Sequence, residues 1–136
     1  MIKKEEIKQN WKKIESQLKE AKRFIEENKL DEALYFIWIA SENIVNNIKF
    51  AKNGFYLKNH KTKTRILKEY FVTGILKNDY SKIFEKLSKY RIVAEFHPYT
   101  SIPKDYRIED VLHFLKEIQE LKKEVERSLI EKGILK

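Results

Sequence analysis

Apolar side chains recur along this chain at spacings of three and four residues, the period of an α-helix with one buried face. The first such stretch runs over about residues 3–27. Its apolar positions are Ile7, Trp11, Ile14, Leu18, Ala21 and Ile25. A polar break follows, in which Asp31 is a good N-cap for a second helix. The pattern predicts a long amphipathic helix at the start of the chain.

The second stretch, about residues 32–53, is the most apolar part of the sequence. One face carries Ala33, Phe36, Ile37, Ala40, Ile44, Ile48 and Ala51. Leu34, Trp38 and Val45 add a second apolar side. We therefore expect this helix to lie at the centre of the fold, and Asn53-Gly54 to supply its C-terminal stop.

Three further helices are predicted, at about residues 62–73, 80–96 and 108–132. In the first of these, Ile66, Leu67, Tyr70 and Phe71 are expected to face inward, with Gly74 at its end. Asp79 is expected to cap the next helix, and Gly133 follows the last one. No stretch alternates with period two. The predicted fold is all-α, an up-and-down bundle of about five helices in a single domain, residues 1–136.

Composition excludes several classes of protein. The chain has no cysteine, so it has neither a disulfide framework nor a thiolate metal site. It has no signal-peptide pattern and no apolar run of membrane-spanning length, so we expect a soluble, cytoplasmic protein without membrane contact. The net charge of +8 favours an anionic partner, nucleic acid first. The 37% of charged residues is also typical of solvated helix faces, and the Lys, Glu and Ile content fits a heat-adapted or AT-rich organism.

The candidate chemistry lies in "YRIVAEFHPYTSIP", residues 90–103, where a predicted helix ends in a long irregular stretch. Arg91 and His97 have five residues between them, and Pro98 disfavours helical geometry at residue 97. His97 is therefore expected to lie beyond the helix end, either beside Arg91 or across a dimer axis. The spacing alone is weak, because Arg107 and His113 repeat it. The three histidines have no metal-ligand spacing, and neither a metal nor a cofactor is predicted.

The order of three segments resembles the HEPN domains, in particular the small archaeal and bacterial branch encoded beside minimal nucleotidyltransferases. "DEALYFIWIASENIVNNIKFAKNG" looks like the second helix of that branch. "NHKTKTRILKEYFVTGIL" looks like its histidine-led third helix. "YSKIFEKLSKYRIVAEF" looks like its fourth helix, which ends in arginine, two spacers, alanine, an acid and an aromatic residue. Together these segments span about residues 31–96.

The resemblance implies a helical bundle that is often a symmetric homodimer. Many members of the family are metal-independent endoribonucleases that act as toxins and are held in check by the nucleotidyltransferase partner. Their signature is an arginine followed, after four to six residues, by a histidine, and Arg91 and His97 fit that spacing. This chain departs from the signature at Ile92, where the family has a polar residue. The branch that it most resembles often lacks the histidine altogether.

If the resemblance extends to catalysis, the 2′-OH of RNA attacks the adjacent phosphorus without a metal. His97 is suited to move protons near neutral pH, and Arg91 offers a bidentate clamp for the phosphate charge. Tyr90 and Tyr99 are candidates to stack on a base or hold a phosphate oxygen. The basic run is expected to follow the RNA backbone; its members are Lys58, His60, Lys61, Lys63 and Arg65.

Each of these residues also has a structural interpretation. Arg91 and Glu95 are four apart and are placed to form an exposed helix pair, while Tyr90 suits the core. The run at 58–65 is equally typical of a solvated loop and first helical turn. Glu42, on the most apolar helix, is expected at a boundary or paired with a buried cation such as Arg91. The alternative function is a catalytically silent module that binds a nucleotidyltransferase, a nucleotide or RNA, and a third is a plain helical adaptor.

Overall fold

The computed structural model describes residues 4–53, 60–96 and 104–136, without the side chains of residues 53, 60, 61 and 96. These residues form five α-helices and no strand. The helices are α1 (Lys4–Glu26), α2 (Leu30–Asn53), α3 (His60–Val72), α4 (Ser81–Phe96) and α5 (Ile108–Glu131). All five predicted helices are present, so the prediction of an all-α bundle is confirmed. None of the described helices is long and apolar enough to cross a membrane.

Helix α2 forms the centre of the bundle because its apolar side chains point in several directions. It packs against α1, α3, α4 and α5, and no other described helix contacts all four of the others. Leu34, Ile37 and Ile44 have no exposed surface, and Trp38 on the second apolar side is 3% exposed. The prediction of a central second helix is therefore confirmed.

Three helices end in the same backbone motif. The residue after the C-cap has a positive φ, which is 58° at Asn28 behind α1, 81° at Gly74 behind α3 and 73° at Gly133 behind α5. The next N–H then donates to a carbonyl five positions back, as in the bonds Lys29 to Phe24, Ile75 to Tyr70 and Ile134 to Leu129. This Schellman arrangement satisfies carbonyls that the helix leaves free, and glycine adopts the positive φ without strain. The stops predicted at Gly74 and Gly133 are confirmed.

Two predictions about single residues are wrong. Phe71 is 41% exposed, because a helix turns by about 100° per residue and Tyr70 already faces the core. Asp31 does not cap α2 from outside, because the helix begins at Leu30 and the carbonyl of Lys29 accepts the N–H of Ala33 at 3.1 Å. Asp31 lies in the first turn instead, and its carboxylate accepts hydrogen bonds from Lys104 and Tyr106.

Asp79 caps the start of α4, as the sequence predicts. Its Oδ1 accepts the backbone N–H of Ser81 at 2.9 Å and the Ser81 hydroxyl at 2.6 Å. These bonds, the hydroxyl bond first, lower the pKa of Asp79 because they favour its charged form. The stabilisation from this cap is therefore present at neutral pH and is lost as the pH falls through the lowered pKa.

Truncating a fully buried side chain of α2 is expected to destabilise the whole bundle. Ile44→Ala removes apolar surface from the centre and leaves a cavity, so we expect the free energy of unfolding to fall by about 2–5 kcal/mol. Leu112→Ala, at a position that is 47% exposed on α5, is the control and is expected to cost within about 0.5 kcal/mol. Urea unfolding followed by circular dichroism measures both, and equal losses would contradict a central α2.

Candidate functional site

Arg91 lies near the C-terminal end of α4, and its guanidinium has two partners. Nη1 is 3.0 Å from Oε2 of Glu95 one turn later. The guanidinium carbon is 5.7 Å from the ring centroid of the buried Trp38 on α2. The predicted helix pair between Arg91 and Glu95 is confirmed, while 33% of the Arg91 side chain stays exposed. Arg91 therefore lies at the edge of the core, with part of its side chain at the surface.

This arginine lines a groove of about 210 Å³ between the first turns of α2 and the last turns of α4. The lining residues are Asp31, Glu32, Tyr35, Phe36, Arg91, Ala94 and Glu95. Tyr35 is 44% exposed and meets the ring of Phe36 edge-on, with 5.9 Å between centroids. Phe36 in turn stacks on Phe24 of α1 at 5.5 Å. The groove therefore has an aromatic side that is anchored to the core.

The charges around the groove are mostly negative. Three carboxylates, those of Asp31, Glu32 and Glu95, line it beside the single guanidinium. Asp31 is partly neutralised, because its carboxylate accepts hydrogen bonds from Lys104 Nζ at 3.0 Å and from the hydroxyl of Tyr106. Burial first, and then the bond to Asp31, raise the pKa of Tyr106, so this hydroxyl keeps its proton. The groove is an acidic and aromatic surface on a chain of net positive charge.

Tyr90 is packed and does not stand free as a stacking platform. Its ring lies 5.6 Å from that of Tyr106 and meets Phe114 of α5 edge-on at 5.4 Å. Burial, followed by the charges of Asp105 and Asp110, raises the pKa of Tyr90. The ring of Tyr90 is therefore partly buried and packed against the core, and a role in stacking on a base stays a prediction.

Five of the predicted site residues fall wholly or in part outside the portion of the chain that the structure describes. His97, Tyr99 and Lys58 lie outside the described residues, as do the side chains of His60 and Lys61. Helix α4 ends at Phe96, and Arg91 lies five residues before that end. That His97 meets Arg91 stays a prediction.

The predicted basic run at residues 58–65 does not form one surface row among its described members. Lys63 is 2% exposed, and its Nζ donates to Oε2 of Glu42 on α2 at 2.8 Å. Arg65 faces outward. The expectation that Lys63 follows an RNA backbone from the surface is therefore corrected, because its ammonium is committed to a partly buried ion pair. Glu42 is paired with a buried cation as expected, but the cation is Lys63 and not Arg91.

A sequence signal for the buried lysine exists. Lys63 precedes Ile66 by three positions, Leu67 by four and Tyr70 by seven, so all four share the inward stripe of α3. A cation on such a stripe needs a buried partner, because an unpaired charge away from water costs several kcal/mol. Glu42 supplies that partner. Only 26% of its side chain is exposed, and its Oε2 lies 2.8 Å from Lys63 Nζ.

Tyr35 and Glu32 were missed as site residues. Both lie in the most apolar stretch, where the apolar pattern draws attention to the buried faces. The signal is Tyr35 itself, a large aromatic residue next to Phe36 but off the inward stripe. Among the described residues, no group of three or more histidine, aspartate or glutamate side chains is placed to hold a metal ion.

Breaking the ion pair between Glu42 and Lys63 is expected to destabilise the fold. Glu42→Gln leaves the Lys63 ammonium buried without a charge partner and is expected to cost about 2–4 kcal/mol in the free energy of unfolding. Combining it with Lys63→Met removes both charges and should restore stability to within about 1 kcal/mol of the parent chain.

The control is Glu95→Gln, which breaks the exposed pair with Arg91 and is expected to cost about 0.5 kcal/mol or less. Urea unfolding of the parent chain, Glu42→Gln, the double variant and Glu95→Gln measures these differences in the free energy of unfolding. If Glu42→Gln is as mild as Glu95→Gln, the Lys63 ammonium does not depend on Glu42.

Comparisons with protein-family models, with curated proteins and with solved structures find no match for this chain. The resemblance of residues 31–96 to the HEPN domains therefore stays a prediction. The functional interpretation rests on the geometry and charge of the surfaces that the described residues form.

Proposed function

We propose that this protein is a HEPN-like helical bundle that acts by binding a partner protein through the groove between α2 and α4. The partner class that the sequence resemblance implies is a small nucleotidyltransferase, in a toxin–antitoxin-like module. The observation that carries the proposal is the state of Arg91: its guanidinium is already engaged by Glu95 and Trp38 in a groove with three carboxylates.

The charge of the groove disfavours a phosphate backbone and favours a cationic protein segment. A phosphodiester entering here meets three carboxylates and one guanidinium that is partly neutralised. A lysine or arginine side chain of a partner instead finds Glu32 and Glu95 at the surface. Because charge complementarity across an interface sets specificity and association rate, we expect a salt-sensitive complex.

The apolar side of the groove supplies the anchoring surface that such a complex needs. Tyr35 is exposed and contacts its neighbour Phe36, which itself stacks on Phe24. Aromatic side chains have few rotatable bonds, so they lose little freedom on binding, and such residues often dominate binding energy. The aromatic side and the acidic rim together fit a partner segment with an aliphatic side chain next to a basic one.

A groove variant is expected to weaken the complex. Tyr35→Ala combined with Glu32→Lys removes the aromatic anchor and reverses one rim charge. We expect its dissociation constant for the nucleotidyltransferase to rise at least about tenfold. The matched control is Leu112→Ala with Glu69→Lys, two exposed positions on α5 and α3 that do not line the groove. Titration calorimetry against the product of the neighbouring gene measures both.

Two results would contradict this proposal. Equal binding by the groove variant and its control removes the groove from the interface. A neighbouring gene that encodes no nucleotidyltransferase removes the partner class.

A second candidate function is a metal-independent endoribonuclease that uses Arg91 and His97. One observation favours it: Arg91 keeps a third of its side chain exposed near the end of α4, so its guanidinium is partly accessible to a phosphate. In this candidate Arg91 binds the phosphate that becomes more negative in the transition state, and His97 transfers the proton. Glu95 must then release the guanidinium when RNA binds.

RNA cleavage in the presence of EDTA tests this second candidate. If the two residues are catalytic, Arg91→Ala and His97→Ala each lower the cleavage rate by about 10²–10⁴-fold. The chain provides its own control, since Arg107, just before α5, and His113 within it repeat the spacing. Arg107→Ala and His113→Ala are expected to leave the rate unchanged. Equal cleavage by the parent chain and His97→Ala would exclude His97 from the chemistry.

A further inference from the structure

A second groove, formed by α1 and α5, has the opposite charge. It encloses about 530 Å³ and is lined by five lysines and two glutamates, so it carries three of the eight net positive charges of the chain. The lysines are Lys19, Lys22, Lys116, Lys122 and Lys123. The groove between α2 and α4 belongs to different helices, and α1 makes no contact with α4 among the described residues. The two surfaces are therefore separate in charge and in position.

Four of the five lysines have no partner of opposite charge among the described residues. Lys122 is committed to the fold, because its Nζ lies 3.8 Å from Glu126 and 5.4 Å from the ring centroid of Trp11. The side chains of Lys19, Lys22, Lys116 and Lys123 are exposed and form no ion pair with a described carboxylate. They bring four like charges together in one concave surface, where an anion of matching length gains from all of them.

The excess of positive charge does not continue beyond this groove toward the start of α1. The hollow of about 440 Å³ nearer the start of α1 has three lysines and three glutamates in its lining, and Lys8 there is paired with Glu5 at 3.4 Å. Along the basic groove, from Lys116 to Lys123, α5 rises by roughly 10.5 Å, which matches about three phosphates of one nucleic-acid strand. The axes of packed helices lie about 8–10 Å apart, so the furrow along their contact is narrower than a nucleic-acid duplex and suits one strand.

The groove offers charge without a surface for base stacking. Trp11 is the aromatic residue beside it, and its ring is 2% exposed, covered by Lys122 and bonded through Nε1 to Glu126 at 3.1 Å. Single-strand binders that stack bases on aromatic side chains need those rings exposed. Recognition here therefore depends on the phosphates alone, and so it is independent of sequence and strongly dependent on salt.

We propose that the α1/α5 groove binds the phosphodiester backbone of single-stranded nucleic acid through Lys19, Lys22, Lys116 and Lys123. The proposal does not rest on the partner-binding role of the α2/α4 groove or on any activity of Arg91. It assigns the strand-binding surface to the two terminal helices instead of the run at residues 58–65.

The test uses the full chain and a fluorescently labelled 12-nucleotide single strand, as RNA and as DNA of the same sequence, in anisotropy titrations. With about four phosphates neutralised, the slope of log K against log salt is expected to be about −3, so affinity falls by about 50-fold between 50 and 200 mM NaCl. Equal affinity for RNA and DNA indicates backbone binding alone, and tighter RNA binding adds contacts to the 2′-OH.

Two quadruple variants separate the groove from the overall charge. The first changes Lys19, Lys22, Lys116 and Lys123 to glutamine and is expected to lose affinity at least about tenfold, with a flatter salt slope. The second makes the same change at Lys13, Lys68, Lys82 and Lys89, which are exposed outside the groove. It has the same net charge and is expected to lose less than about threefold. Circular dichroism checks that both remain folded.

Three results would overturn the proposal. Equal losses in the two quadruple variants mean that the net charge attracts the strand and the groove does not. No binding of either strand at 50 mM NaCl means that the groove has no affinity for phosphodiesters. Tighter binding of a polyglutamate peptide of equal charge and length means that the surface is made for an acidic protein.

Discussion

Burial of α2 on several sides is the constraint on which the rest of this structure depends. A helix with two apolar sides cannot be stable at a surface, so it needs neighbours around it. The other four helices supply them, and each packs one face against α2. Polar groups on α2 then have to find partners inside the protein. Ser41 donates to the carbonyl of Trp38 and Asn47 to that of Asn43, while Glu42 pairs with Lys63.

The helices were predictable from the sequence because the signals that define them are local. Apolar residues three and four apart mark an inward stripe. Gly74 and Gly133 mark helix ends through their backbone preferences, and Asp79 marks a helix start through its side-chain carboxylate. The failures concern residues whose position depends on a distant partner. Asp31 bonds to Lys104 and Tyr106, more than seventy residues away, and nothing near it in sequence reveals that.

The candidate site was likewise predictable from the sequence only where its contacts are local. The pairing of Arg91 with Glu95 follows from their spacing along one helix, whereas the carboxylates of Asp31 and Glu32 reach the same groove only because α2 crosses α4. The basic groove could not be predicted from the sequence for a related reason. Its lysines belong to α1 and α5, at opposite ends of the sequence, and each taken alone looks like an ordinary solvated residue. Tertiary packing brings them together, and no single helix carries the signal.

The ion pair between Lys63 and Glu42 has a consequence for how this sequence can change. An unpaired charge at either position is costly, so we expect a substitution that removes the carboxylate at position 42 to be accompanied by loss of the ammonium at position 63. The two positions are twenty-one residues apart in the chain, so this coupling acts through the fold and not through neighbouring sequence. In a set of related sequences, an acid at the first and a lysine at the second should appear together or be replaced together. The contact between α2 and α3 is therefore expected to be detectable as covariation of positions 42 and 63 in related sequences.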